Sequence, residues 1–424
     1  MSVFEMRLKH DRDGRIVEKT EIVAGRTNVW KYAYDKAGRL FEAHLDNRLI
    51  CQCYYDRDGR RQRDYFPATV VASYRDYRYN LDNRLMSAGN NGFTHDENGF
   101  RSIWSNGGTY HLYEYAPDYR LLKMEVENQN RVYTFRHDEQ GRRAVKYFNG
   151  QLVEAYQWLD FIRLGAFHDG RMGYEFGYGD GERLPSAMRR EDGAVFTLHY
   201  DQVGSLRVVA DTDGDVIKEI LYDPFGGIIE DTNPGFRVPI GFAGGLHDRD
   251  LGFVRFGWRD YDTFTGRWTA PDPIGDRGGD PDWYGYCLDD PVNMADPKGL
   301  AAGDWWDIVS NYKRANEIAD EEVAKRGVGN HNNEGDAMRH AEWSKRMAEE
   351  LGGGTSWLFG VGHEIDGLIN SDQPWGEAMM DLHNNAEGRA AAREKRPVDR
   401  SKLQKAPKKG FQVNPYSSKR YWSR

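Results

Sequence analysis

One phrase returns along the first two-thirds of this chain and limits what it can fold into. It reads His10-Asp11-Arg12-Asp13-Gly14-Arg15, Tyr34-Asp35-Lys36-Ala37-Gly38-Arg39, Tyr55-Asp56-Arg57-Asp58-Gly59-Arg60, His95-Asp96-Glu97-Asn98-Gly99 and His137-Asp138-Glu139-Gln140-Gly141-Arg142, with looser copies at 79–85, 200–204 and 222–226. Each copy ends a strand with an aromatic and opens a tight turn with Asp or Asn. A Gly or Asn then stands where φ > 0 is needed, and most copies re-enter a strand through Arg. Recurrence about every twenty residues marks a hairpin array rather than isolated turns. Alternation such as Tyr110-His111-Leu112-Tyr113-Glu114-Tyr115 fits strands with one packed and one wetter face. With 25 Tyr, 19 Phe and 12 Trp, and 47 Gly against 15 Pro, the composition suits short strands and frequent turns.

A second signal lies over residues 266–300. The unit Asp-Pro-x-Gly occurs there twice, as Asp272-Pro273-Ile274-Gly275 and Asp296-Pro297-Lys298-Gly299; Gly266-Arg267-Trp268 precedes the pair and Leu300 follows it. One such unit is a turn, with Asp as its cap, Pro fixing φ and Gly supplying the left-handed residue. Two units flanking a Gly/Asp-rich loop can bring two carboxylates together. Like charges then push one pKa upward so that the pair shares a proton, as in an aspartic protease.

Together with the Tyr-Asp phrases, these residues resemble the Rhs/YD-repeat family of polymorphic toxins over residues 1–300. The resemblance implies a β-hairpin shell over 1–265, open or closed like a cocoon, and a closing segment over 266–300. It further implies Asp272 and Asp296 as an acid/base pair, Arg267 as the orienting or charge-stabilising cation, and a cut between Leu300 and Ala301. Gly241-Phe242-Ala243-Gly244-Gly245-Leu246 and Val254-Arg255-Phe256-Gly257-Trp258-Arg259-Asp260-Tyr261-Asp262 look like that family's closing core signature. Residues of that stretch are expected to be scaffold, without catalytic roles.

After Leu300 the pattern turns helical, which predicts a β shell followed by a separate all-α domain over 301–424. Helices are expected over 305–325, 334–351, 357–368 and 375–396, broken at Gly352-Gly353-Gly354 and Ser371-Asp372-Gln373-Pro374. Residues 301–388 carry 7 Lys/Arg against 17 Asp/Glu, whereas 389–424 carry 12 against 2 and read as a basic tail. Three polar clusters punctuate the helices: Asp336 with His340 at i, i+4; His363-Glu364; and Asp381 with Asn385 at i, i+4. So many polar groups in a small helical domain point to a functional site, because burying them without a task is costly. The order His340, His363-Glu364, Asp381 is similar to the ligand series of helical HD-type metallophosphohydrolases, with Glu364 where that family has Asp. A divalent metal held by these four is the corresponding expectation. The clusters also look like a helical domain that recurs at the ends of bacterial polymorphic toxins. With no Gly-x-Ser-x-Gly nucleophile motif, acid/base or metal-assisted hydrolysis of a phosphodiester or phospholipid is expected of this domain.

Two other functions remain open. Trp357-Leu358-Phe359-Gly360-Val361 with the basic tail suits a membrane-perturbing domain, and the tail alone suits a nuclease. Overall net charge of −9 argues against a general polyanion binder. Cys51, Cys53 and Cys287 make neither a disulfide framework nor a metal pattern, and Cys51 and Cys53 should pack on one face of a strand. No signal peptide and no stretch of about 18 apolar residues is found, so synthesis in the cytoplasm and export by a dedicated machine are expected. The resemblance implies a secretion-system spike or adaptor and a cognate immunity protein as partners. A compact C-terminal domain of 124 residues would need about 6,600 Å² of wall, and 300 residues of strand supply about 4,800 Å². The expectation is therefore an open cup, with a homodimer the remedy for its exposed edges.

Overall fold

The computed structural model describes residues 2–300, the helix Glu334–Glu350, and residues 383–403 apart from 385, 386, 388, 389 and 393. The chain divides into two compact units: Ile16–Trp305 with Met1–Lys9, and Trp306–Arg424 with His10–Arg15.

In the first unit, a 22-stranded sheet runs from Phe4–His10 to Ile228–Asp231, its consecutive strands paired antiparallel. The recurring phrase builds one kind of turn. In Tyr34-Asp35-Lys36-Ala37-Gly38-Arg39, Asp35 N–H donates to the Arg39 carbonyl at 2.9 Å and Gly38 N–H to the Asp35 carbonyl at 3.1 Å. The Asp35 carboxylate accepts from Ala37 and Arg39 N–H at 2.9 and 3.0 Å and from Arg39 Nε at 2.8 Å. Gly38 sits at φ +89°, where a Cβ would be strained. Register slips by one residue at Tyr34, so the turn ends in a bulge. Asp11, Asp56 and Asp138 bond to their own following arginines in the same way.

Tyrosines that end strands at these turns lock neighbouring repeats together. Tyr34 Oη donates to the Ile16 carbonyl, Tyr55 to Leu40, Tyr79 to Arg61 and Tyr178 to Leu164, at 2.6 to 2.8 Å. Arg39 also lies over the Tyr55 ring at 4.3 Å. The other ends of the hairpins close differently. At Asp46-Asn47 and Asn149-Gly150 both turn residues have φ > 0, the geometry that suits the right-handed twist of the strands.

The second strand of the sheet and a strand near its end meet through side chains. Glu21 of the strand Ile16–Val23 accepts from Arg207 Nε and Nη2 of Leu206–Asp211, both at 3.0 Å, and lies 3.1 Å from Lys19 Nζ. Leu206–Asp211 is buried at every residue except Asp211. Cys51 and Cys53 are fully buried together beside Trp30 and Phe66 and are free thiols.

A smaller four-stranded sheet closes the unit: Leu246–Asp248, Phe253–Phe256, Arg259–Asp262 and Arg267–Trp268. Phe242, Phe256, Tyr261, Trp268 and Tyr286 stack into its core, and Tyr156, Phe167 and Phe196 of the repeats join them. Buried ion pairs tie the repeats to it: Arg101 to Asp262 at 2.6 Å, and Lys146 and Arg143 to Asp248 at 2.6 and 3.0 Å. The closing sheet therefore begins before residue 266.

In the second unit, the helix Glu334–Glu350 lies where helical spacing predicted it. Met338 and Ala341 share a small core with Ala391, Val398 and Leu403. Residues 383, 384, 387 and 390–392 are also helical, within the expected 375–396 helix. The helices expected over 305–325 and 357–368 lie outside the described residues.

Candidate functional site

Both Asp-Pro-x-Gly units fold as the turns their composition dictates. Asp272 accepts from Ile274 N–H at 2.9 Å and Asp296 from Leu300 N–H at 3.0 Å, and each aspartate's carbonyl takes the N–H of its own glycine. The turns hold the two carboxylates at one arginine. Arg259 Nη2 lies 2.8 Å from Asp272 Oδ2 and 3.4 Å from Asp296 Oδ2. The same guanidinium donates through Nε to the Gly299 carbonyl at 2.7 Å and through Nη1 to the Trp283 carbonyl at 3.0 Å, and it stacks on Trp268 at 4.2 Å. Burial pushes the Asp272 carboxyl above its ordinary range, with the Arg259 charge opposing the shift.

The segment preceding the expected cut lies against the chain at 256–259. Trp258 N–H donates to the Lys298 carbonyl at 3.0 Å. Gly299, at φ +67°, comes so near the neighbouring chain that a Cβ would stand 2.6 Å from the Phe256 carbonyl. The Leu300 carbonyl oxygen and Asp272 Oδ2 border one small space: a Cβ on Gly278 would lie 2.7 Å from the first and 2.8 Å from the second.

The cation expected here is Arg267, which the structure places against Asp282. Arg267 binds Asp282 through both Nη atoms, at 2.7 and 2.9 Å, donates to the Asn83 carbonyl at 3.2 Å, and stacks on Tyr79 at 4.8 Å. Its fork is committed to the loop that leads toward Asp296. The arginine touching both aspartates, Arg259, comes from the stretch read as scaffold. A signal existed in the sequence, since Arg259 lies in the quoted Val254–Asp262 signature, but an arginine in a strand reads as a solvated edge.

Of the C-terminal candidates, Asp336 and His340 lie on the helix Glu334–Glu350. His340 is buried at 9% exposure and meets the Trp343 ring edge-on at 6.4 Å. His363, Glu364, Asp381 and Asn385 lie outside the described residues. The neighbouring Asn384 and Glu387, which belong to the same polar cluster but are not among its expected site residues, are buried; Glu387 accepts from Arg396 at 2.6 Å and from Asp399 N–H at 3.1 Å. Among the described residues no three His, Cys, Asp or Glu side chains gather as a metal site.

A family model described as Teneurin YD-shell matches residues 1–280, and one described as a domain of unknown function (DUF6973) matches residues 303–411. Teneurin-1 of Gallus gallus is 31% identical over 273 residues, covering 63% of this chain and 10% of its own length. Teneurin-4 of Mus musculus is 28% identical over 282 residues, covering 64% and 10%. The tRNA3(Ser)-specific nuclease WapA of Bacillus spizizenii is 24% identical over 282 residues, covering 63% and 12%. Among solved structures, the TcdB2–TccC3 complex aligns at a TM-score of 0.37 and 16% identity, covering 70% of this chain and 21% of that one. The chain thus spans about a tenth of the length of these curated relatives.

Proposed function

The chain belongs to the Teneurin YD-shell family, and on that premise we propose that it is an Rhs-type effector whose repeat unit cuts the chain at Leu300–Ala301. The observation that carries this reading is Arg259, which bridges Asp272, Asp296 and the Gly299 carbonyl at one buried point. Asp272, raised by burial, holds the shared proton and hydrogen-bonds to the Leu300 carbonyl oxygen as it bears charge. Asp296 is anchored at Oδ1 by Leu300 N–H and serves as base through Oδ2. Water adds to the Leu300 carbonyl carbon, its proton passing to Asp296 while Asp272 gives its proton to the carbonyl oxygen. Collapse breaks the C–N bond; the Ala301 nitrogen leaves with the proton from Asp296, and Asp272 regains its own. Intact-mass measurement of the purified chain tests this, with one fragment expected to end at Leu300. Asp272→Asn and Asp296→Asn should each leave the 48.8 kDa chain whole. Fragments of wild-type size from both variants would rule the mechanism out.

The part beyond Leu300 is then the released toxin, a hydrolase of phosphodiester or phospholipid bonds in which Asp336, His340, His363, Glu364, Asp381 and Asn385 bind or activate the substrate, with a divalent metal held by His340, His363, Glu364 and Asp381. A toxin-type role is supported by the nuclease WapA among the relatives. A spike or adaptor that loads the protein and a cognate immunity protein follow as partners. His340→Ala should abolish killing when expressed in a host cytoplasm while far-ultraviolet circular dichroism stays helical. A fully toxic variant that still leaks liposomes would favour the membrane-perturbing alternative.

A further inference from the structure

We propose that Gly278 is a positioning residue of the cut: its bare Cα caps the space between Asp272 Oδ2 and the Leu300 carbonyl oxygen, and any side chain there separates acid from carbonyl. The proposal rests on the self-cleavage reading and extends it to a residue outside both Asp-Pro-x-Gly units.

The glycine at 278 is not explained by backbone conformation, because its φ lies outside the left-handed region that favours glycine. Space explains it. A Cβ would stand 2.7 Å from the Leu300 oxygen and 2.8 Å from Asp272 Oδ2, closer than real Cβ atoms come to any heavy atom. Neither oxygen can yield freely. Asp272 is held by Arg259 and by Ile274 N–H, while the Leu300 peptide is held through its own N–H on Asp296 and the Gly299 carbonyl on Arg259. The methyl group must therefore lift the short 3-10 turn Gly275–Gly278 or spread the two oxygens. Either displacement spoils proton transfer across the gap, since misplacement by about 1 Å can cost about 10²-fold in rate.

Gly279 supplies the control. Its φ is +82°, so alanine strains the backbone there, but nothing lies within 4 Å of its Cβ position. Gly279→Ala disturbs the same loop without entering the gap.

The test follows the uncut fraction of the full-length chain against time after cell-free synthesis, between pH 5 and pH 8. Gly278→Ala is expected to cut about 10- to 100-fold more slowly than the wild type, and Gly279→Ala at nearly the wild-type rate. The pH profile adds a readout that a loosened fold would not move. Asp272 faces Arg259 and Asp296, and the charge of that guanidinium is also felt by Tyr119 and by Asp280, which burial pushes up to about 7. The Asp272 carboxyl is itself raised by burial, so the wild-type rate falls as pH rises through that elevated value, and an Asp280→Asn background keeps the second carboxyl out of the profile. Lifting the cap wets Asp272 and lowers its pKa, so the fall in Gly278→Ala comes at lower pH. Wild-type cutting by Gly278→Ala would overturn the proposal and leave the aspartate pair standing. Equal slowing in both variants, or loss of the near-ultraviolet dichroism of Gly278→Ala, would overturn it too, because the glycine would then serve the loop or the fold. A wild-type chain that stays whole would remove the self-cleavage reading and this proposal with it.

Discussion

Arg259→Lys should leave the chain essentially uncut, with a rate loss of about 10²- to 10³-fold, the range seen when one fixed donor is removed from a charge-stabilising site. A lysine keeps the charge but has no planar fork. It cannot bond the Gly299 carbonyl through one nitrogen, the Trp283 carbonyl through a second and both aspartates through a third, as Arg259 does. The Gly299 bond matters most for geometry, because it fixes the peptide just before the expected cut to the cation that orders the carboxylates. Arg267→Lys is the matching control. It keeps a cation against Asp282 and should cut at nearly the wild-type rate. Time courses after cell-free synthesis measure both. Rapid cutting by Arg259→Lys would show that the bridge is structural only, and loss of cutting in a folded Arg267→Lys chain would support Arg267 as the cation of the site.

That assignment shows which parts of the fold a sequence displays. The turns were readable because their bonds are local: Asp35 reaches residues two and four places on, and nothing distant decides the matter. The helix Glu334–Glu350 was readable for the same reason. The aspartate pair could be found because the chain repeats the motif, so that two copies advertise one site. Arg259 was hidden. It stands 13 residues before Asp272 and 37 before Asp296, in a strand whose alternation suggests that one face is wet. In the folded unit that strand is buried on both faces, since repeats and closing segment enclose it. The two-residue turns at Asp46-Asn47 and Asn149-Gly150 escaped because they do not belong to the recurring phrase. Buried Asn384 and Glu387 show the limit of helical spacing, which names a stripe but not the packing that selects within it.

The seam of the large sheet was equally invisible, because its partners lie 186 residues apart, and it carries the largest expected loss of stability. Glu21→Ala should destabilise the repeat unit by about 3–5 kcal/mol, the cost of leaving buried charges without their partner. Glu21 is fully buried, accepts two bonds from Arg207 and one from Trp30 Nε1, and lies beside Lys19. With it gone, Lys19 keeps only Asp201 at 3.6 Å among its anionic neighbours here, and Arg207 loses both bonds. Acid should act on the wild type by the same route. Burial alone would push the Glu21 carboxyl up, yet the charges of Lys19 and Arg207 outweigh it and bring the group down to about 2. A carboxyl lowered on folding stabilises the folded state above its unfolded value, near 4.5, and the contribution is lost as pH falls from there toward 2. The depression corresponds to about 3 kcal/mol. Urea midpoints of an Asp272→Asn background, which removes cutting from the measurement, should therefore fall between pH 5 and pH 3 when Glu21 is present and change less in Glu21→Gln. Equal acid sensitivity in the two chains would mean that other carboxylates set the limit and that the seam is not closed by this charge.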